Sequence, residues 1–361
     1  MECSWKSNWE ETKRHFLRWW NREGLVVGRW DGPPARIPHE SVPDPGQPAT
    51  PMEKYTDPVT RARRNHYSLS CMSFAGDVLP ISNTAIGPGS LALFLGSEPG
   101  FSDRTVWYHP CFQSVADPET IPPLKFDPSN KWWKLSEATA RECQKLARGK
   151  YVVGLPDLIE NVDTLASLRD SQTLLMDMIE RPDWVKRKVA EINQVWFEAF
   201  DRLYEICRLQ DGSSVFWAYY LWGPGKVAKV QCDASSMFSP DMFKEIVVPS
   251  LTEQCDWLDH SIYHLDGTQC IGHLEHLLAI ESLDAIEWTP QAGIESGGSP
   301  RWYDLYRRIL RAGKSVQAVD VLPREVIPLL DAIGTKGVYV MIDCQTEDEL
   351  EDGVKRARAH R

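Results

Sequence analysis

The stretch SIYHLDGTQ (261–269), read together with AIEW (285–288), SVQAV (315–319) and GVYVMI (337–342), decides the fold of this 361-residue chain. Each contains a short run rich in β-branched and aromatic residues, the composition of a buried strand. Amphipathic segments separate or follow them: 271–279, 300–312, 324–333 and 346–359. A parallel neighbour can be reached only by a crossover, so this alternation predicts a parallel sheet with helices on its outer face.

Working back toward the N-terminus, the same rhythm predicts strands at Ala228–Gln231, Ser214–Tyr219, Tyr151–Leu155 and Phe74–Ile81, with helices at 167–179, 182–207 and 240–259. In SPDMF (239–243), Ser239 suits a helix N-cap and Pro240 the first helical position. Eight strands with helical crossovers imply a closed (βα)8 barrel, or TIM barrel. A doubly wound open sheet would carry a glycine-rich phosphate turn after its first strand. The only comparable segment, GPGSLALFLG (87–96), lacks GxGxxG spacing.

Ahead of the alternation, residues 9–22 read as a helix, and residues 31–60 are too rich in proline for a second core. The expectation is one barrel domain over 1–361, with residues 1–70 forming an N-terminal helix and a proline-rich arm packed on it. Five of the 15 tryptophans (Trp5, Trp9, Trp19, Trp20, Trp30) lie in that region and suit a helical cap on a barrel mouth.

Composition narrows the function. The net charge of −11 argues against a nucleic-acid surface. No apolar run approaches the roughly 20 residues of a membrane span. The nine cysteines are scattered, with no CxxC pair, which suits a reducing compartment. The N-terminus is charged and amphipathic, unlike a signal peptide. These features together predict a cytoplasmic protein acting on a small molecule, as a monomer or a homodimer.

Barrel chemistry collects at strand C-terminal ends. There the sequence places Asp157, Asn161 and Asp163; Trp217, Tyr219 and Tyr220; Cys232 and Asp233; His264 and Asp266; Glu287 and Trp288; Asp320; and Asp343 and Cys344. In YHLDGTQ (263–269), His264 and Asp266 share a face because strand side chains alternate. Such a pair can ligate a metal, act as acid and base, or simply hydrogen-bond at a glycine turn. Cys344, at the end of the last strand, could complete a zinc site with them, or be a buried apolar thiol. Asp157, Asp233, Glu287 and Asp320 are candidate carboxylates for proton transfer or substrate binding, while Trp217, Tyr219, Trp288 and Asn161 are candidate pocket walls.

Four segments carry a family resemblance: WEETKRHFLRWWNREG (9–24), GPGSLALFLG (87–96), the helix pair in 165–185, and CDASSMFSPDMFKEIVVPSLTEQCDWLDHSIYHLDG (232–267). Together they resemble the uroporphyrinogen decarboxylase superfamily, best its branch of decarboxylase-like and corrinoid-linked methyltransferase proteins. The resemblance implies a (βα)8 barrel. True uroporphyrinogen decarboxylases hold substrate carboxylates with an arginine-rich RQAGRY-type segment, which is missing here; the nearest basic cluster is RARRNHY (61–67), in another setting. The zinc methyltransferase branch has an HxC motif and a later cysteine. Here the motif reads His264-Leu265-Asp266, and Cys344 matches the later cysteine.

The resemblance therefore implies zinc on His264, Asp266 and Cys344, with a methyl group moving between a small substrate and a thiol or a corrinoid carried by a separate protein. Two alternatives stand beside it. One is a lyase or decarboxylase using Asp266, Asp233 or Asp157 as general acid on a small carboxylate substrate. The other is a binding barrel without catalysis.

Overall fold

A computed structural model describes residues 3–360. Among them the strands are β1 (Leu25–Gly28), β2 (Ile81–Ser82), β3 (Glu98–Phe101), β4 (Val106–His109), β5 (Val152–Val153), β6 (Ser214–Phe216), β7 (Leu221–Gly223), β8 (Val227–Gln231), β9 (His260–Asp266), β10 (Ala285–Thr289), β11 (Ser315–Val321) and β12 (Val338–Ile342). The protein is mixed α/β. Its main sheet has six parallel strands in the order β1-β12-β11-β10-β9-β8. A separate parallel pair joins β2 to β5, and a single bridge, Leu155 to Phe216, continues it toward β6. Two antiparallel hairpins, β3–β4 and β6–β7, complete the strands.

The eight-strand ladder expected from the sequence is thus present in part, as six strands plus a parallel pair. Side chains explain where the ladder stops. Beside β1, Asp77 Oδ2 accepts the amide of Val27 at 2.8 Å, taking a donor that a neighbouring strand would have used. The carbonyls of Phe74 and Gly76 accept the Lys6 ammonium, each at 2.9 Å, so residues 74–80 do not form the predicted strand. On the other side, Ser214 Oγ accepts the Val227 amide at 3.2 Å.

Two other expectations change. The run LVVG (25–28) is a fully buried strand that sequence reading left unassigned between the first helix and the arm. The strand predicted over Ser214–Tyr219 ends at Phe216, because Tyr219 and Tyr220 have left-handed backbones (φ 65° and 51°) and turn the chain back into β7.

The first helix, Trp9–Trp20, buries Trp9, Phe16, Trp19 and Trp20. These aromatic rings pack against the starts of the strands. Trp19 Nε1 donates to Val316 O at 3.2 Å, Ser315 Oγ donates to Trp19 O at 2.6 Å, and Trp20 stacks on His260 with centroids 4.7 Å apart. The helix therefore seals the strand N-terminal end rather than the end where strand-end chemistry collects. Aromatic burial of this kind removes roughly 150–250 Å² per ring from water. Trp30 lies at the opposite end, with Nε1 donating to Asp320 Oδ1 at 3.0 Å.

The proline-rich arm is tied down at several points. Arg36 pairs with Glu351 at 2.7 Å, its amide donates to Glu347 at 2.9 Å, and the Ala35 amide donates to Cys71 O at 2.8 Å. It then enters a helix at Pro58–Ser70, capped by Asp57. Among the described residues no helix is long and apolar enough to cross a membrane.

Candidate metal centre

Register puts one polar row across five neighbouring strands. Gln231 pairs with His264, His264 with Glu287, Glu287 with Gln317, and Gln317 with Tyr339. Paired residues in adjacent parallel strands point to the same side, so these five side chains share one face. The residue after each points the other way. Leu265, Trp288 and Ala318 are fully buried there, and Trp288 packs on Trp302 with centroids 4.9 Å apart. Trp288, expected as a pocket wall, is therefore outer-face packing.

His264 of this row converges with Asp266 and Asp233 at the strand ends. One ligand atom from each lies within 4.8 Å of the other two. His264 is anchored from behind: its Nδ1 lies 2.5 Å from Glu287 Oε2 and 2.7 Å from Tyr219 Oη. Glu287 is fully buried, and its other oxygen accepts Thr289 Oγ1 at 2.6 Å. With Nδ1 committed to a carboxylate, Nε2 is the free nitrogen, and it faces Asp233 Oδ1 at 3.8 Å. A carboxylate behind the imidazole, fixing the tautomer and raising its basicity, is the arrangement that metal-binding histidines use.

Electrostatics agree with the geometry. Burial alone would lower the His264 pKa, but the charge and hydrogen bond of Glu287, followed by Asp233, raise it above its ordinary value. Burial raises Glu287, with partial relief from His264. Asp233 keeps 48% of its side chain exposed at the rim, yet partial burial and then neighbouring Asp163 push it up to about 6. A site where two carboxylates crowd an oriented imidazole is stabilised by a cation, and the residues present fit one.

Asp233 is held by the segment around it. Asp163 Oδ2 accepts the Asp233 amide at 2.8 Å, its Oδ1 accepts the Ala234 amide at 2.8 Å, and Gln231 Nε2 donates to Asp233 Oδ2 at 2.9 Å. Behind Gln231 lies the fully buried Lys229, which pairs with Asp157 at 2.9 Å and also donates to Gln231 Oε1. Glu160 is buried too; its Oε1 accepts the Gln231 amide at 2.5 Å, and burial pushes its carboxyl up to about 8, outweighing Lys229.

The remaining predicted residues fall in three places. Asp157 and Trp217 line a separate cavity. Asn161 is buried with its Oδ1 on its own helix, accepting the Val162 amide at 3.1 Å. Asp320, in a left-handed residue at a bulge of β11, is engaged by Trp30. Cys344, expected as a zinc ligand, lies outside the Asp233–His264–Asp266 group. It follows β12, which β10 and β11 separate from β9, and burial raises its thiol pKa. Asp233 takes the third place instead. Lys229 and Glu160 were missed in the sequence. For Lys229 a signal existed, since Lys229, Gln231 and Asp233 alternate onto one face.

No protein-family model matches the chain, and no curated protein matches it in sequence. Among solved structures, a methyltransferase from Methanosarcina mazei is similar in fold, with a TM-score of 0.63 over 96% of this chain and 98% of that one, at 12% sequence identity. At that identity the likeness concerns the fold: a mixed α/β architecture shared over nearly the full length of both chains.

Proposed function

We propose that this chain is a metal-dependent, methyltransferase-like enzyme whose six-stranded sheet and β2–β5 pair form one (βα)8 barrel. The observation that carries the reading is the convergence of Asp233, His264 and Asp266 at strand ends, with Glu287 bracing the imidazole from behind. The fold likeness to a methyltransferase supports it.

One nitrogen and two carboxylate oxygens fit zinc, and without a thiolate they also fit harder divalent ions. Zinc held there would lower the pKa of a substrate thiol or hydroxyl, making it a methyl acceptor. The chain's own residues do the rest. Glu287 and Tyr219 fix the imidazole plane, and Asp163 and Gln231 fix the segment and carboxylate of Asp233. The methyl group would come from a corrinoid on a separate protein. It would be supplied as a methyl-cation equivalent to the acceptor's sulfur or oxygen, whose proton would pass to solvent.

The test is demethylation of methylcobalamin by a panel of small thiols, followed by absorbance. The reading expects turnover that chelation abolishes, zinc restores, and Asp266→Asn removes. Turnover indifferent to chelation contradicts it.

The lyase reading keeps one specific support, the Asp233 carboxyl, which partial burial and then neighbouring Asp163 push up to about 6. It requires Asp157, Asp233 or Asp266 to protonate a carbanion, and predicts carbon dioxide release that survives chelation.

A further inference from the structure

We propose that a cavity of about 380 Å³, lined by Asp157 and Trp217 among others, binds the oxyanionic end, carboxylate or phosphate, of a small substrate. Its walls come from the arm, from the segment around Ala85–Pro88 and from the β3–β4 hairpin. They bring Lys54, Arg61, Arg64 and Arg104 to one space.

The charge balance of this space is the reverse of the whole protein's, which is −11. Among the described residues none of the four cations makes an ion pair with a carboxylate, and the one acid in the lining, Asp157, is already paired with Lys229. Arg61 is the sharpest case. It is 8% exposed, and its guanidinium donates only to main-chain carbonyls, to Tyr55 O at 3.3 Å and to Ala85 O. Arg169, buried as deeply elsewhere, instead has Asp177 at 2.8 Å. An arginine cannot shed its proton to escape burial, so an unpaired buried guanidinium on a cavity wall is stabilised by an anion.

The positions are built rather than incidental. Arg61 and Arg64 are three apart on one helix and so lie on one face. Arg104 sits in the hairpin turn, which Lys54 ties to the arm by donating to Asp103 O at 2.5 Å. Gly87, at φ +117°, lets the opposite wall lie against Val106, where an added Cβ would meet Val106 Cβ at 2.6 Å.

Two chains of contacts link the cavity lining to the metal centre. The turn that carries Trp217 also carries Tyr219, whose hydroxyl lies 2.7 Å from His264. From Asp157, contacts run through Lys229 and Gln231 to Asp233. A substrate role for the cavity rests on the proposed reacting centre, whereas anion binding by the cavity does not.

The test is calorimetric titration of the full chain with succinate and with inorganic phosphate, at low and at physiological salt. Wild type is expected to bind at least one of them, more weakly at higher salt, and the tighter of the two identifies the anion class. Arg64→Gln and Arg104→Gln, both outside the core, should each weaken binding roughly tenfold. His264→Ala should leave it intact, which separates a failure of this site from a failure of the metal centre. No binding of either anion, or binding as tight as wild type in both glutamine variants, would overturn the proposal.

Discussion

Nδ1 of His264 lies 2.5 Å from Oε2 of the fully buried Glu287 on the neighbouring strand, and this contact decides which nitrogen the imidazole offers outward. The pair arises from register alone: residues 264 and 287 are partners in the β9–β10 ladder. Glu287 was expected to touch substrate or move protons, but the structure places it behind the histidine.

Glu287→Gln should therefore leave the fold in place and weaken metal binding by roughly 10–100-fold, the usual effect of removing the carboxylate behind a metal-bound histidine. A competition titration against a chromophoric chelator measures this. Unchanged affinity would mean that Glu287 does not orient the ligand.

Cys344→Ser should leave metal content unchanged, because the thiol lies outside the ligand group, whereas Asp233→Asn should reduce it. Elemental analysis of the two purified variants reads the difference. Metal lost on Cys344→Ser and kept on Asp233→Asn would restore the ligand set that the sequence suggested.

Lys229 and Asp157 form a pair in which the lysine has no exposed surface. Burial alone would lower the Lys229 pKa, but Asp157 and then Glu160 raise it. Removing one member of a buried pair leaves the other uncompensated, so Lys229→Met should destabilise the protein by about 3–5 kcal/mol. Urea unfolding measures the loss, and a change below about 1 kcal/mol would contradict the pairing.

Glu160 sets a pH dependence of stability. Its folded pKa of about 8 lies above its ordinary 4.5, so between those values the native state keeps a proton that the unfolded chain releases. Its contribution is complete below the ordinary value and is lost as pH rises toward 8, at up to roughly 1.4 kcal/mol per pH unit. Glu160→Gln, which cannot ionise, should flatten that slope in urea titrations between about pH 5 and 8. An identical slope in the variant would place the titrating group elsewhere.

The sequence made the later strands legible because they are short, mostly apolar runs bounded by helical segments: 261–265, 285–288, 315–319 and 337–342 all lie within or almost within observed strands. It misled at residues 74–80, where Lys6 and Asp77 take the backbone partners a strand needs, from positions far away along the chain for Lys6. It also passed over LVVG, whose burial depends on pairing with β12 more than 300 residues later. In the site, period-two alternation brought out His264 and Asp266, because both lie on one strand. The third partner was misassigned since Asp233 and Cys344 both follow strands, and only the sheet order shows that β8, not β12, borders β9. The cationic cavity was beyond reach for a similar reason: Lys54, Arg61 and Arg104 come from separate elements that meet only in the folded chain.

The most direct test of the central claim is metal content by mass spectrometry on untagged protein purified without added metal, beside His264→Ala. The account predicts close to one divalent ion per wild-type chain and almost none in the variant. Wild-type protein that contains no metal, and takes up none when zinc is offered, would contradict it.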